Sequence, residues 1–161
     1  MNKELLHEIY RRYYRKLYCY ALSLCRNRAD AQDLVSDAFI KALLFYSGNG
    51  SVEAWLYRVL KNQYIDEYRR RKHFADADPQ YIESIAAIQS SDGAEKERLR
   101  WMYEQILQMK HPDREIMLLT AASDLNDSQI AEITGVTAEN LRVIRHRAKE
   151  KLKEQARKEE I

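Results

Sequence analysis

The sequence predicts an all-α fold with two small helical domains, and three features lead to that prediction. The chain of 161 residues contains only four Gly and two Pro, too few for a turn-rich β sandwich. Apolar residues recur three or four positions apart over several long stretches, which is typical of amphipathic helices. A polar, acidic segment divides these stretches into two groups. We therefore predict a helical domain at 1–72, a flexible acidic linker at 73–94 and a second helical domain at 95–161.

Three helices are predicted in the first domain. Apolar residues at helical spacing cover 4–25 and 30–46, and a third helix is predicted from 52 to about 72. The run Ser47-Gly48-Asn49-Gly50-Ser51 separates the second helix from the third. Glycine tolerates positive φ, and Asn and Ser side chains bond their own backbone, so we expect the chain to reverse direction here.

Four helices are predicted in the second domain. The first two cover 94–109 and 114–123, and two more follow them. The linker before them contains a Pro, a Gly and several Asp and Ser, with one weakly periodic apolar patch at 82–88. That composition predicts a tether between the domains.

Basic residues are concentrated in two segments, although the net charge of the chain is only +2. Residues 1–72 carry 14 Lys and Arg against 8 Asp and Glu, and residues 138–158 carry eight against three. The predicted linker carries four acidic residues and no Lys or Arg. Clustered positive charge is expected of a protein that binds a polyanion, because each neutralised phosphate releases counterions.

The segment 127–148, DSQIAEITGVTAENLRVIRHRA, has the pattern of a helix-turn-helix. Gly135 supplies a left-handed turn residue, Thr137 can cap the second helix, and Ile130, Leu141 and Ile144 can hold the two helices together. An αα hairpin in an ordinary helical bundle is the alternative. The density of basic residues on the second helix favours contacts with phosphates and guanine edges. The candidate DNA contacts are Thr137, Glu139, Asn140, Arg142, Arg145, His146, Arg147 and Lys149.

The segment 55–72, WLYRVLKNQYIDEYRRRK, combines aromatic residues with a basic end. Aromatic rings near cations can stack unpaired bases while the cations hold the backbone of a single strand. The alternative is a core helix whose basic end is stabilised by the helix dipole.

Together with 28–43, RADAQDLVSDAFIKAL, this segment resembles the second region of extracytoplasmic-function sigma factors. The C-terminal domain is similar to their fourth region, and the resemblance covers about 27–72 and 104–153. It implies a sigma factor that binds core RNA polymerase, recognises duplex minus-35 and single-stranded minus-ten DNA, and helps to open promoters. The chain departs from the family pattern at Gln129, where Glu is usual, and at 140–145, where apolar and basic positions are partly exchanged.

The resemblance also implies functional residues in the first domain. A coiled coil of the largest polymerase subunit is expected to bind Asp33, Leu34, Asp37, Phe39 and Ile40, although a solvated acidic stripe would have the same composition. Minus-ten DNA, with one flipped base, is expected at Ser47, Gly48, Asn49, Gly50, Asn62, Tyr64, Arg69 and Arg70. Asp66 is expected to pair with a nearby Arg, because a carboxylate facing phosphates would repel them.

Two further expectations concern regulation. The family resemblance implies an anti-sigma factor, anchored in the membrane, that wedges between the domains and covers 33–45 and 129–149. The acidic linker is expected to thread through the polymerase cleft along a basic channel, with a merely solvated tether as the alternative. A stand-alone helix-turn-helix regulator is the competing hypothesis for the whole chain, but it has no need of the DLVSDAF stretch.

The sequence also leads us to expect several absences. The longest apolar run, 42–46, is far too short to cross a bilayer, so we expect a cytoplasmic protein without membrane insertion. Cys19 and Cys25 do not share a helix face and are expected to be buried free thiols. No catalytic residue, cofactor or metal is predicted. A metal phosphodiesterase remains a weak alternative, with the ligand set His73, Asp76, Asp78 and Glu83.

Overall fold

The computed structural model describes residues 2–71, 80–89 and 93–160, and in these ranges the chain forms helices and loops without a strand. The helices are α1 Lys3–Cys25, α2 Arg28–Phe45, α3 Val52–Arg71, α4 Tyr81–Gln89, α5 Gly93–Leu107, α6 Asp113–Ala122, α7 Asp127–Thr134 and α8 Ala138–Lys158. The chain divides into two compact units, Met1–Tyr81 and Ile82–Ile161. The predicted all-α, two-unit fold is confirmed.

The first unit is a bundle of α1, α2 and α3, each of which packs on the other two. Burying a large apolar side chain contributes roughly 1.5 to 3 kcal/mol, so the apolar stripes of the three helices stabilise the bundle together. The rings of Tyr20 and Tyr57 meet edge to face at its centre, 5.2 Å apart. The fully buried side chains of this core include Leu17, Tyr20, Leu22, Val35, Leu56, Tyr57 and Leu60.

Side-chain caps set the first two helix boundaries. Asn2 accepts a hydrogen bond from the Leu5 amide at 2.7 Å, and Asn27 accepts one from the Asp30 amide at 3.0 Å. Arg26, with φ of 56°, ends α1 in the left-handed conformation. The connection between α1 and α2 is therefore only two residues long. The sequence predicted a start of α2 at residue 30, but Asn27 begins the helix at Arg28.

The segment predicted as a linker contains a helix, which corrects part of that prediction. α4 covers Tyr81–Gln89 and α5 begins at Gly93, while 72–79 and 90–92 lie outside the described residues. Ile85, in the weakly periodic patch, is fully buried. Glu83 pairs with Arg100 of α5 at 2.6 Å. The patch is short, so its periodicity alone did not distinguish a helix from a tether.

The second unit is organised around α6, which packs against α5, α7 and α8. Its apolar residues are almost entirely buried because neighbouring helices cover several of its sides. The core comprises Tyr103, Ile106, Ile116, Leu118, Leu119, Ile130 and Leu141. This core fixes α7 and α8 as a helix-turn-helix on one side of the unit.

Candidate nucleic-acid and protein interfaces

The helix-turn-helix predicted at 127–148 is present, with its caps formed as expected. Gly135 has φ of 80° and ends α7 in the left-handed conformation, where a side chain would be strained. The Thr137 hydroxyl accepts a hydrogen bond from the Asn140 amide at 3.1 Å and begins α8. Ile130, Leu141 and Thr134 are buried between the helices.

A capping box that the sequence analysis missed begins α7. The Asn126 side chain accepts from the Gln129 amide and the Gln129 side chain accepts from the Asn126 amide, both at 2.9 Å. Asn followed three positions later by Gln is a sequence signal for such a box. Gln129, where the family usually has Glu, therefore serves to begin the helix.

The outer face of α8 is defined by the side that is buried. Leu141 and Ala148, seven residues apart, are buried and Ile144 is half-buried, so the opposite side of the helix meets solvent. Val143 lies at its centre with 59% of its side chain exposed, although the sequence analysis did not select it. The exposed residues from 139 to 149 are Glu139, Asn140, Arg142, Val143, His146, Arg147 and Lys149. All of them except Val143 were predicted DNA contacts.

Arg145 was predicted with these outward residues, and the structure corrects its placement. Its side chain is only 18% exposed, and its Nη2 donates to Asp127 Oδ1 at 2.7 Å. This hydrogen bond, together with the nearby positive charges, lowers the pKa of the Asp127 carboxyl. Position 145 lies four residues from Leu141 and three from Ala148, so it shares their side of the helix. Arg147, by contrast, stays exposed while its guanidinium reaches Asp113 at 3.4 Å.

The predicted polymerase-binding residues of α2 divide between the core and the surface. Asp33 is exposed, Asp37 is half-buried and Ile40 is 55% exposed. Leu34 and Phe39 are buried core residues, which corrects their assignment as contacts. Phe39 packs on Tyr10 with the ring centroids 5.0 Å apart. Phe39 also lines an open pocket beside Tyr10.

The sequence analysis missed an exposed apolar cluster at the end of α2. Leu44 is 65% exposed and Phe45 is 71% exposed, and Leu43 beside them is also exposed. Asp33, Asp37, Ile40 and Leu44 follow one another at spacings of four, three and four residues, which aligns them on one face of the helix. We call these four residues the α2 stripe. Its first half is acidic and its second half is apolar.

The loop between α2 and α3 is held closed by aromatic contacts. The Tyr46 hydroxyl donates to the Gly50 carbonyl at 2.9 Å, and the Tyr46 ring meets Trp55 edge to face at 5.5 Å. Gly48 and Gly50 have φ of 85° and 80°. The predicted positions Ser47, Gly48, Asn49 and Gly50 are all exposed.

A cavity of about 380 Å³ opens beside this loop. Tyr13 lies on its wall, with the Arg12 guanidinium 5.6 Å and the Lys16 ammonium 6.0 Å from the ring centroid. Tyr13 was not among the residues predicted to bind DNA. The residues that line the cavity are Leu5, Glu8, Ile9, Arg12, Tyr13, Tyr46, Gly48 and Val52.

The predicted residues of α3 do not all share one face. Asn62, Arg69 and Arg70 are exposed, and Asn62 and Arg69 are seven residues apart on one side. Tyr64 is half-buried, about 200° around the helix from Asn62, so the structure separates it from this group. Arg70 pairs with Glu67 at 3.7 Å. Asp66, which was expected to pair with an Arg, is exposed on the side of Asn62.

The alternative of a metal phosphodiesterase rests on residues that have another partner or lie outside the described ranges. Of the proposed phosphodiesterase ligands, His73, Asp76 and Asp78 are not described, and Glu83 binds Arg100, whose hydrogen bond lowers the pKa of that carboxyl. Within 2–71, 80–89 and 93–160, no group of three or more His, Cys, Asp and Glu side chains is arranged to hold a metal. None of the described helices has the length and apolar character needed to cross a membrane.

Comparison with known proteins shows what this chain is similar to. The model of sigma-70 region 2 matches residues 9–74. RNA polymerase sigma factor YlaC of Bacillus subtilis (strain 168) is 26% identical, over 94% of this chain and 92% of YlaC. ECF RNA polymerase sigma factor SigM of the same organism is 25% identical, over 91% of each chain. ECF RNA polymerase sigma factor EcfG of Rhodopseudomonas palustris (strain TIE-1) is 28% identical, over 84% of this chain and 76% of EcfG.

A solved structure shares the fold. The sigma factor RpoE of Bartonella quintana, in its complex with the anti-sigma factor NepR, superposes with a TM-score of 0.58 at 19% identity. The match covers 86% of this chain and 88% of that one. The region 2 match, the alignments over most of the chain and the shared helical fold agree: the chain contains a sigma-70 region 2 and is similar over most of its length to extracytoplasmic-function RNA polymerase sigma factors.

Proposed function

We propose that this alternative sigma factor binds core RNA polymerase through α2, holds melted minus-ten DNA at the loop between α2 and α3, and recognises minus-35 duplex with α8. The observation that carries the proposal is the α2 stripe, in which Asp33, Ile40 and Leu44 are exposed on the surface of the bundle and Asp37 is half-buried. A stand-alone DNA-binding regulator would have no use for such a surface.

The chemistry of the α2 stripe suits a helical protein partner. Two further exposed apolar side chains, Leu43 and Phe45, lie beside it, and contiguous exposed apolar surface usually marks a protein interface. The acidic half of the stripe would favour a basic segment of the partner and fix the register in which the two helices meet. The apolar half, from Ile40 to Leu44, would supply most of the affinity because it leaves water on binding.

The cavity beside the 46–51 loop suits one unpaired base. Its walls include Tyr13 and Tyr46, and stacking on aromatic rings offsets part of the stacking that a base loses when a duplex melts. Arg12 lies close enough to attract the phosphate of the same nucleotide. Because the cavity would accept a base only after it leaves the duplex, it would stabilise open promoter DNA selectively.

A single strand could continue from this cavity along α3. Asn62 lies ten residues after the start of α3, about 15 Å along its axis, and Arg69 lies about 10 Å further. An amide that both donates and accepts can recognise a base edge, and the arginines can hold phosphates. Tyr64 stands outside this track, and we propose a packing role for it.

Duplex recognition is proposed for the outer face of α8. A helix of this kind enters the major groove with its first turns against base edges. Val143 stands near the centre of that face and, with the exposed Asn140, would meet base edges, while Arg142 and Lys149 would meet phosphates. Thr137, Glu139, His146 and Arg147 complete the set of proposed contacts.

An anti-sigma factor is the proposed regulator, and the complex of the similar RpoE with NepR supports it. We propose that it covers 33–45 and 129–149, since an unoccupied apolar stripe and an exposed basic helix would otherwise bind polymerase and DNA without control. We propose further that this partner is anchored in the membrane and that the sigma factor acts in the cytoplasm. The 73–94 segment is proposed to pass through the polymerase cleft.

The experiment is a binding titration with core RNA polymerase, using fluorescently labelled full-length protein. Leu44→Ser should weaken binding by at least tenfold, because it removes apolar area from the interface. Gln32→Ser is the matched control, since Gln32 is exposed on the same helix but about 100° away from the stripe. Equal affinities for the two variants would contradict the proposed interface.

A further inference from the structure

We propose that Arg145 and Asp127 form a positioning pair that sets the angle of the recognition helix α8, and that Arg145 itself does not contact DNA. The inference rests on the proposed role of α8 in duplex recognition and assigns a different function to one of its basic residues. It is carried by the burial of Arg145, the contact it makes and the place of that contact in the motif.

The geometry ties the arginine to the protein. Its Nη2 lies 2.7 Å from Asp127 Oδ1, and 18% of its side chain is exposed against 42% for Asp127. The Arg145 Nε is buried without a hydrogen-bond partner among the described residues. A guanidinium held in this way has its donors directed into the protein, whereas its neighbours Arg142, His146 and Lys149 extend into solvent.

The pair joins α7 and α8 far from the turn that connects them. Asp127 is the first residue of α7 and Thr134 is the last, so the ion pair lies about 10 Å from the Gly135 turn. The turn and the buried Leu141 already hold α8 against the unit, and the ion pair adds a polar attachment at a separate point, which restricts the crossing angle further. Small rotations of α8 would displace Asn140 and Val143 relative to base edges, so the pair would affect discrimination between sequences more than overall attraction.

Because the two residues carry opposite charges, a positioning role for Arg145 can be distinguished from phosphate binding. The arginine lowers the pKa of the Asp127 carboxyl, so the carboxylate stays ionised and the two charges offset each other. An arginine neutralised in this way would release few DNA counterions. Replacing both residues with neutral analogues of similar shape, Asp127→Asn with Arg145→Met, leaves the net charge of the motif unchanged and removes only the pair.

The experiment uses the full chain and two 30-bp duplexes, one selected from a random library by the wild-type protein and one of scrambled sequence. Dissociation constants are measured from about 50 to about 200 mM KCl, where each phosphate contact contributes about 0.9 to the slope of log Kd against log salt. Arg145→Met and the double variant should each lower the preference for the selected duplex by about tenfold, because both remove the pair. Asp127→Asn, which removes the charge but keeps a neutral acceptor for Arg145, should lower the preference by a smaller factor.

The controls distinguish the possible failures. Lys149→Met should reduce the salt slope by about 0.9 and weaken both duplexes equally, whereas the double variant should keep the wild-type slope. A slope loss for Arg145→Met equal to that of Lys149→Met, with unchanged preference, would show a phosphate contact and overturn the inference. Unchanged preference in Asp127→Asn alone would also overturn it. If no duplex is selected and Lys149→Met leaves the slope unchanged, the proposed role of α8 fails instead.

Loss of folding would give a different result from loss of positioning. A partly unfolded variant has fewer active molecules, which lowers apparent affinity for both duplexes by the same factor and leaves their ratio unchanged. Asp127→Asn guards against this outcome as well, because Asp127 is partly exposed and Asn keeps an oxygen that can accept from Arg145. Its ratio would fall only if the ionised pair matters for recognition.

Discussion

Phe39 packs against Tyr10 with their ring centroids 5.0 Å apart, and this contact turns the next residue, Ile40, toward solvent. Two adjacent apolar residues of α2 therefore have different functions. Phe39 belongs to the core of the bundle, and Ile40 belongs to the proposed polymerase interface. Their substitutions should separate stability from binding.

Phe39→Ala should destabilise the first unit by about 3 to 5 kcal/mol, because it removes a buried ring and leaves a cavity. Ile40→Ser should change stability by less than about 1 kcal/mol but weaken polymerase binding by at least fivefold. Urea unfolding monitored by circular dichroism measures the first effect, and a polymerase titration measures the second. The interpretation fails if Ile40→Ser unfolds the bundle or if Phe39→Ala leaves its stability intact.

The turn of the helix-turn-helix offers a test of backbone conformation alone. Gly135 has φ of 80°, Gly93 in the same unit does not have a positive φ, and an added Cβ would meet no atom within 4 Å at either position. Gly135→Ala should therefore cost about 1 kcal/mol or more through backbone strain, whereas Gly93→Ala should be neutral or slightly stabilising. Chemical denaturation of the two variants checks this. Equal effects would contradict the strain argument.

The helices and caps could be predicted from the sequence because they depend on local patterns. Each of these patterns involves residues that are close together in the sequence. They are the three- and four-residue apolar spacing, the two glycines of the 47–51 loop, Gly135 and Thr137, and the structure agrees with each. Arg145 was assigned to the wrong side although its spacing from Leu141 and Ala148 places it with them, whereas its partner Asp127, eighteen residues away in the sequence, could not be predicted. A long-range ion pair has no local signature.

The division of α2 into core and surface could not be predicted for a different reason. Its last turns, Ala42 to Phe45, are apolar almost all the way round the helix, so periodicity does not identify the buried side. Packing against α1 and α3 decides it. The same holds for Tyr13, whose place on the loop cavity depends on how α1 meets Tyr46 and Val52.

Cys25 should be unreactive in the folded protein. Burial raises the pKa of its thiol from the ordinary value of 9.0 to about 11, and the nearby Asp30 charge adds to the rise, although backbone contact with Asn27 opposes it. At neutral pH the thiol is protonated, and only the thiolate is nucleophilic. Alkylation by iodoacetamide should therefore be slow until urea unfolds the chain. Rapid modification of the native protein at Cys25 would contradict this.

The same thiol should make stability depend on pH. The folded state holds the proton more tightly than the unfolded state, so its contribution is present below about pH 9 and is lost as the pH rises toward 11. One unit of pKa corresponds to about 1.4 kcal/mol, so a rise of two units contributes on the order of 3 kcal/mol. Urea unfolding across this range should show a shallower decline in Cys25→Ala. A decline of the same steepness in both proteins would exclude the effect.

Val143 should contact a thymine methyl group if α8 enters the major groove as proposed. Val143→Ala should weaken binding to the selected duplex by about 1 kcal/mol, and replacing one thymine with uracil should have a similar effect on the wild type. Because both changes remove the same contact, their combination should cost no more than either one. Additive losses at every thymine would place Val143 away from the bases.

The central claim is tested most directly by transcription in vitro with core RNA polymerase from the bacterium that encodes the protein. Genomic DNA fragments serve as templates, and transcript start sites are mapped. The wild-type chain should produce discrete starts that core enzyme alone does not, Leu44→Ser should reduce them at least tenfold, and Gln32→Ser should not. If the chain binds DNA but produces no transcript start beyond those of core enzyme alone, that result would contradict its action as a sigma factor and would indicate a stand-alone regulator.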